Sequence, residues 1–387
     1  MSKKWILYLG GFDMPDGNAA AQRVMGNAKA FRKLGYDTFF VGLSRKKDLC
    51  GEIGYYEGFK YINHYYPENT KEWISYLSSV EQYKEYLDKQ PNIIIAYNFP
   101  AFALNKLCKW SNRKNIKIIA DCTEWYEAKG NIAFRLIKGF DTWYRMKRIH
   151  PKMDGLIAIS DYLYNYYSQK MQNVANIPPL VDLDMEKWKL NNDDNRLNDD
   201  AVKIIYAGSP GNGNKDRLDF IINALSLLKN EKVSNFRFIV IGITEDQYLS
   251  QFNMPIPENL KDNLVFKGRL SHLDTVNAVK QSDFYLFIRN NNLSNRAGFP
   301  TKFSESISCG TPVVANSSSN IRQFIVNGKN GFIIDHVTLN ELKNILKDII
   351  QLPKTQIYEM KNFCYQSQLF DYRNYLLKFD KLVNMLS

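Results

Sequence analysis

The sequence predicts an α/β protein made of two doubly wound, Rossmann-like parallel-sheet domains facing a cleft, and three observations carry that prediction. The chain has 387 residues, more than one hydrophobic core usually supports, so two domains of roughly 180 to 200 residues are expected. Short apolar runs suited to buried parallel strands alternate with helical segments along the whole length. The alternation comes as two consecutive series, separated by the polar stretch Leu190–Asp200.

In the first series the strand candidates are Trp5–Leu9, Phe39–Leu43, Ile93–Tyr97, Ile116–Asp121 and Gly155–Ser160. Between the first two, Ala20–Leu34 shows helical spacing and stops at Gly35, a residue suited to the left-handed position just past a helix. The second series offers Lys203–Ala207, Arg237–Ile241, Leu264–Phe266, Phe284–Ile288, Pro312–Ala315 and Gly331–Ile334, with helices at Leu218–Lys229 and Leu273–Gln281. The Asn- and Asp-rich segment Asn191–Asp200 reads as a solvated linker or extended loop. Ligands of doubly wound sheets bind beyond the carboxyl ends of the strands, so the expected active site lies in a cleft between the two domains.

Composition bounds the function. Hydrophobic residues make up 45% and charged residues 24%, the balance of an ordinary globular protein. No apolar stretch approaches the roughly 20 residues that cross a bilayer, and the first apolar run is too short for a secretory leader, so a cytoplasmic location is expected. The five cysteines, Cys50, Cys108, Cys122, Cys309 and Cys364, lack paired spacing and read as buried reduced thiols. Four scattered histidines give no metal-ligand pattern, and Asp182-Leu183-Asp184 follows Pro178-Pro179 at a domain crossing, so no metal is expected. Residues 1–180 hold 26 of the 51 basic residues but 17 of the 40 acidic ones, which concentrates the +11 net charge in the first half. Nucleic acid, anionic lipid or a phosphate-bearing acceptor would each gain from such a surface.

Three stretches carry the chemistry. After the first strand, Gly10–Ala21 forms a flexible loop that includes Gly17 and Asn18 and enters a helix of small residues. Free backbone N–H groups and a positive helix end there suit a diphosphate or a sugar; an ordinary strand-to-helix turn is the other reading. The second series opens on Ile204–Arg217, where Gly208, Ser209 and Lys215 make an anion cradle of close backbone approach and a point charge. It contains neither a P-loop nor the dinucleotide fingerprint, which removes the best support for ATPase and dehydrogenase readings. The third stretch, Arg296–Ala315, takes a polar loop into a short helix that ends at Gly310, and a strand follows at once.

That third stretch resembles the donor-binding signature of the large retaining family 4 of GT-B glycosyltransferases, E-G-F-G-x-P-x-x-E followed by A-x-x-C-G-x-P-V-[VI]. Gly298, Phe299, Glu305 and Cys309–Val314 fall on the pattern without a gap, while Ala297 replaces the first glutamate and Lys302 the usual proline. The variant resembles the P-[ST]-K-[FL]-x-E form of polysaccharide-assembly enzymes. The resemblance implies that Glu305 accepts the ribose hydroxyls, that the backbone of Gly298, Phe299, Pro300 and Thr301 touches sugar and phosphate, and that Lys302 and Lys215 meet the diphosphate. It also places Gly268 and Arg269 beside the nucleobase, and Ser209 where the family often has arginine. In the first half, Ile118–Tyr126 resembles the acceptor-side motif, with Asp121 or Glu124 orienting the acceptor hydroxyl.

By the same resemblance, residues 1–180 are the acceptor-side domain, 181–365 the donor domain, and 366–387 a helix packing back on the first domain. The implied reaction moves a hexose-type sugar, with retention, from a nucleotide sugar such as a UDP-sugar to a polysaccharide, glycolipid or lipid-linked acceptor, with no metal or other cofactor. Two other readings are a sugar-nucleotide epimerase of the same fold and a non-catalytic basic nucleic-acid or scaffold protein. The segment Phe134–Lys152 interleaves Phe140, Trp143, Tyr144 and Met146 with Arg135, Lys138, Arg145, Lys147 and Arg148. It reads either as contact with an anionic membrane at the inner face or as an amphipathic core helix with a solvated charged side.

Overall fold

The computed structural model of the chain describes residues 4–127, 131–190, 200–211 and 215–386, the side chains of 133 and 134 excepted. The expected linker therefore lies outside the described residues but for its last position, as do positions 212–214 of the second glycine-rich turn. The chain divides into two compact units. Unit 1 comprises Met1–Val181, Arg296–Phe299 and Tyr372–Ser387; unit 2 comprises Asp182–Asn295 and Pro300–Asp371.

Unit 1 is built on an eight-stranded sheet of β1 (Lys4–Gly10), β2 (Tyr36–Ser44), β3 (Gly54–Tyr56), β4 (Phe59–Tyr65), β5 (Ile93–Tyr97), β6 (Lys117–Cys122), β7 (Gly155–Ala158) and β8 (Val174–Asn176). Their order is β3-β4-β2-β1-β5-β6-β7-β8, and only the β3–β4 pairing is antiparallel. Strand β1 lies between β2 and β5, and its Ile6, Leu7, Tyr8 and Leu9 are fully buried, as a central parallel strand covered on both faces requires. The five strand candidates of the first series are all present. Strands β3, β4 and β8 lie outside the expected set because β3 and β8 are three residues long and the Tyr/Lys-rich edge run of β3 and β4 is not an apolar block. Glu57 and Gly58, both at positive φ, make the two-residue turn between β3 and β4.

The helix Ala19–Lys33 follows β1, capped by the Asn18 side chain, which accepts from Ala21 N at 2.9 Å, and closed by Gly35 at φ +87°. Asn63 of β4 fixes the loop before it, accepting from Met14 N at 3.2 Å and donating to Met14 O at 2.7 Å. On the other side of the same helix, Phe379 of the helix Leu376–Asn384 meets Phe31 edge to face at 4.8 Å.

Unit 2 contains β9 (Val202–Ala207), β10 (Phe236–Ile241), β11 (Leu264–Phe266), β12 (Phe284–Phe287), β13 (Val313–Asn316) and β14 (Gly331–Ile334), all parallel. The order β11-β10-β9-β12-β13-β14 reverses between β9 and β12, which is the doubly wound dinucleotide-type arrangement. All six expected strands are found. The turns after β9 and β10 abut so closely that a Cβ on Gly242, at φ +113°, would lie 2.4 Å from Gly208 O. Only glycine allows that approach.

Removing the Phe379 ring, fully buried against Phe31, should cost about 3–5 kcal/mol in Phe379→Ala. Urea denaturation followed by circular dichroism measures it, and a loss below about 1 kcal/mol would contradict the packing described.

Candidate functional site

Where the order of the second sheet reverses, the residues just past β9 and β12 gather around one buried carboxylate. Asp216 is 1% exposed. Arg289, two residues beyond β12, donates Nε to Asp216 Oδ1 at 2.8 Å. Tyr206 of β9 donates its hydroxyl to Oδ2 at 2.7 Å, and Lys302 donates its ammonium to the same oxygen. Lys302 also reaches the Tyr206 hydroxyl at 3.1 Å and stands 4.3 Å from the centre of that ring. Burial by itself would raise the Asp216 carboxyl; Lys302 and Arg289 outweigh it and hold the group well below the usual carboxylate range. Two cations share one anion, so the cluster keeps a net positive charge.

Burial draws the Lys302 amine down to about 8, with Asp216 opposing the fall and Arg289 adding to it. Lys302 is thus one member of a charge network. Its side chain retains 13% of its exposure, whereas those of Arg289 and Asp216 retain 7% and 2%. It lies in the first turn of the helix Thr301–Ser308, whose N-cap Pro300 offers no capping side chain. Phe303 N donates to Pro300 O at 2.9 Å, and the N–H groups of Thr301 and Lys302 precede it at the positive end of the helix. Gly208, at φ +146°, covers Lys302 with bare backbone: a Cβ there would stand 3.0 Å from Nζ.

The other expected donor-side residues have these positions. Ser209 is exposed beside Gly208, and its hydroxyl accepts from Gly211 N at 3.3 Å. Lys215 precedes the helix Leu218–Asn230 by three residues, and its charge helps lower the Lys302 amine, so both amines act in one field. Gly268 is buried at φ +63° and accepts from Gly242 N at 2.7 Å, with Arg269 exposed next to it. Glu305 lies one turn along from Lys302 and contacts His272 Nε2 at 3.3 Å. Pro300 and Thr301 belong to unit 2, while Gly298 and Phe299 cluster with unit 1. There Ala297 O accepts a 2.6 Å hydrogen bond from Ser160, the N-cap of the helix Asp161–Ser168.

In unit 1 the two acidic candidates part company. Asp121, at the end of β6, is fully buried. Arg23 of the helix Ala19–Lys33 holds it through Nη2 at 2.7 Å and Nε at 3.0 Å, Tyr8 of β1 donates at 2.5 Å, and Asn27 adds a bond at 3.3 Å. Its oxygens are engaged in pinning that helix to the sheet. Glu124, two residues past the strand, is half-buried and hydrogen-bonds the Tyr126 hydroxyl; burial first, then Glu124, push that phenol upward. Gly17 and Asn18 are exposed after β1, where Asn18 serves as the helix cap.

Sequence reasoning passed over Asp216, Arg289, Tyr206, Arg23 and Tyr8. A signal for two of them existed: Arg289 follows directly on the apolar run of β12, and Asp216 follows Lys215 in the glycine-rich turn. The four cysteines other than Cys108 are buried, and all five are free thiols. Among the described residues no group of three or more His, Cys, Asp or Glu is arranged to hold a metal ion, and no helix is long and apolar enough to cross a membrane.

A cluster of two cations on one carboxylate lies at the switch point of the doubly wound sheet of unit 2, in a chain with two parallel-sheet domains. Residues 190–362 match the family described as glycosyl transferases group 1, so this stretch is a glycosyltransferase group 1 domain. Sucrose-phosphate synthase from Thermosynechococcus elongatus superposes with a TM-score of 0.73 at 14% identity, covering 99% of each chain. Anabaena Alr3699/HepE, solved with UDP-glucose, gives 0.66 at 15% identity over 99% of each chain. These likenesses establish the GT-B fold. The glycosyltransferase MJ1069 of Methanocaldococcus jannaschii, itself uncharacterized, is 23% identical over 247 residues, 62% of this chain and 60% of that protein's length.

Arg23→Met would leave the Asp121 carboxylate buried and unpaired, which should lower stability by about 3–5 kcal/mol. Glu124→Gln should shift it by less than about 1 kcal/mol. Chemical denaturation of the two variants side by side tests the division of labour; equal losses would contradict it.

Proposed function

We propose that the chain transfers a hexose-type sugar, with retention of configuration, from a nucleotide sugar to a saccharide or lipid-linked saccharide acceptor. The observation that carries this reading is the net-positive cluster of Lys302, Arg289 and Asp216 at the switch point of the group 1 domain. Leaving of a nucleoside diphosphate develops negative charge on its phosphate oxygens, and preorganised cations and N–H dipoles are the largest means of stabilising it. Lys302, Lys215, the backbone at Gly208 and the opening turn of the helix Thr301–Ser308 supply them, so the reaction needs no metal. UDP is the favoured nucleotide because HepE, of the same fold, was solved with UDP-glucose. Glu305, one turn from Lys302, takes the ribose hydroxyls. The Gly298–Thr301 backbone takes the sugar, and Gly268 and Arg269 flank the base.

On the acceptor side Glu124 remains the carboxylate that orients the attacking hydroxyl, since Asp121 is committed to Arg23. The loop of Gly17 and Asn18, exposed after β1, is assigned to a diphosphate or a sugar. The setting of this reaction is the cytoplasm at the inner face of the membrane, where nucleotide sugars and lipid-linked acceptors meet. Product analysis with and without acceptor separates transfer from epimerisation.

Two measurements test the donor site. Glu305→Ala and Lys302→Ala should each weaken UDP binding about 10- to 100-fold in calorimetry, the worth of one or two charge-assisted hydrogen bonds; unchanged affinity in both would overturn the assignment. Lys302 loses its proton as pH rises through about 8, so UDP affinity should fall above that pH. The break should vanish in Lys302→Arg, whose guanidinium stays charged; a pH-independent affinity in the native protein would remove Lys302 from the phosphate site.

A further inference from the structure

The helix Ile132–Tyr144 leaves an apolar face uncovered. Ile132, Leu136, Ile137, Phe140 and Trp143 are between 40% and 76% exposed, and Phe102, on the adjoining helix Ala101–Lys114, is 50% exposed and stacks on Phe140 at 6.0 Å. The spacing 132, 136, 137, 140, 143 is one helical stripe. The inner side of the same segment is made of Met146 and Arg145, both buried, with Arg145 Nη1 bonded to Asn98 O at 3.1 Å. Within the expected segment Phe134–Lys152, Asp141, Thr142, Arg145, Met146 and Ile149 are buried, whereas Leu136, Ile137, Phe140 and Trp143 are exposed.

Charge around this face has one sign. The helix Ala101–Lys114 carries four basic residues and no acidic one; residues 132–152 carry six basic residues and a single acid, Asp141. Asp141 is buried and accepts from Ala101 N at 2.7 Å, which removes it from the surface. Between the two helices opens a pocket of about 340 Å³ lined by Lys109, Lys152 and Arg148 together with Trp143, Tyr144 and Asn112. Arg148 stands 5.4 Å from the Trp143 ring centre, and none of the three cations pairs with a carboxylate among the described residues. An indole at the border of an apolar stripe, with unpaired cations behind it, is the composition of a surface lying in a bilayer interface.

We propose that this face docks on an anionic membrane: Ile132, Leu136, Ile137, Phe140 and Phe102 enter the acyl boundary while Lys109, Arg148 and Lys152 hold one phosphate headgroup in the pocket beside Trp143. The binding is independent of the donor site. It is electrostatic in selection and apolar in retention, so it weakens with salt and requires negative lipid.

Sedimentation with vesicles of phosphatidylcholine, with and without phosphatidylglycerol, tests it on the full chain, with thermal unfolding as the check on folding. The native protein should sediment with the phosphatidylglycerol vesicles and stay in solution with phosphatidylcholine alone. Each cation at an anionic surface is worth about fivefold in partitioning, so Lys109→Gln/Arg148→Gln/Lys152→Gln should weaken binding roughly a hundredfold. Leu136→Ser/Phe140→Ser should abolish sedimentation while the melting temperature holds. Native protein that remains in the supernatant with phosphatidylglycerol, or a folded variant of either kind that sediments like the native protein, would overturn the proposal.

Discussion

The carboxylate of Asp216 is the constraint on which the second unit turns. Taking a charged carboxyl out of water is costly, and the cost is met only if opposing charges and hydrogen bonds converge on it with good geometry. Three separate segments bring those partners to the turn after β9 that carries Asp216: Tyr206 from the first strand of the sheet, Arg289 from just beyond β12, and Lys302 from the helix Thr301–Ser308. Their meeting fixes the turns at the switch point, which is where Gly208 and Gly242 must come together without side chains. The site is the by-product of solving a desolvation problem with one cation more than neutrality needs.

Unit 1 solves a similar problem and reaches a different end. There too a tyrosine on the first strand donates to a buried aspartate, Tyr8 to Asp121 at 2.5 Å where Tyr206 gives Asp216 2.7 Å. Arg23 closes that cluster with side chains at 2% and 0% exposure, one cation against one anion. In unit 2 the second cation leaves the cluster net positive, with Lys302 partly exposed and Gly208 bare beside it. The two clusters differ in charge balance and in residual exposure, a distinction that residue type does not make.

The sheets were largely legible because buried parallel strands must be apolar on both faces, and eleven runs such as Ile93–Tyr97 and Gly331–Ile334 say so plainly. Strand β4 was hidden because Lys60 and His64 break its apolar run, although Glu57-Gly58 marks its hairpin turn. Glu305 and Lys302 could be singled out from a local pattern. Arg23 and Asn27 could not, since a polar pair four residues apart on a helix ordinarily faces water, and only the tertiary position of Asp121 makes that face internal. The same limit explains Asp121: a strand-end acid looks the same whether it meets a substrate or an arginine 98 positions away.

The central claim, that the Asp216 cluster is a phosphate site, is tested most directly by a crystal structure of the chain soaked or grown with UDP. The account predicts the β-phosphate within hydrogen-bond distance of Lys302 Nζ and of the first N–H groups of the helix Thr301–Ser308, with the Arg289–Asp216 pair intact. UDP bound with its phosphates away from that cluster, and Lys302 still turned wholly to Asp216, would contradict it.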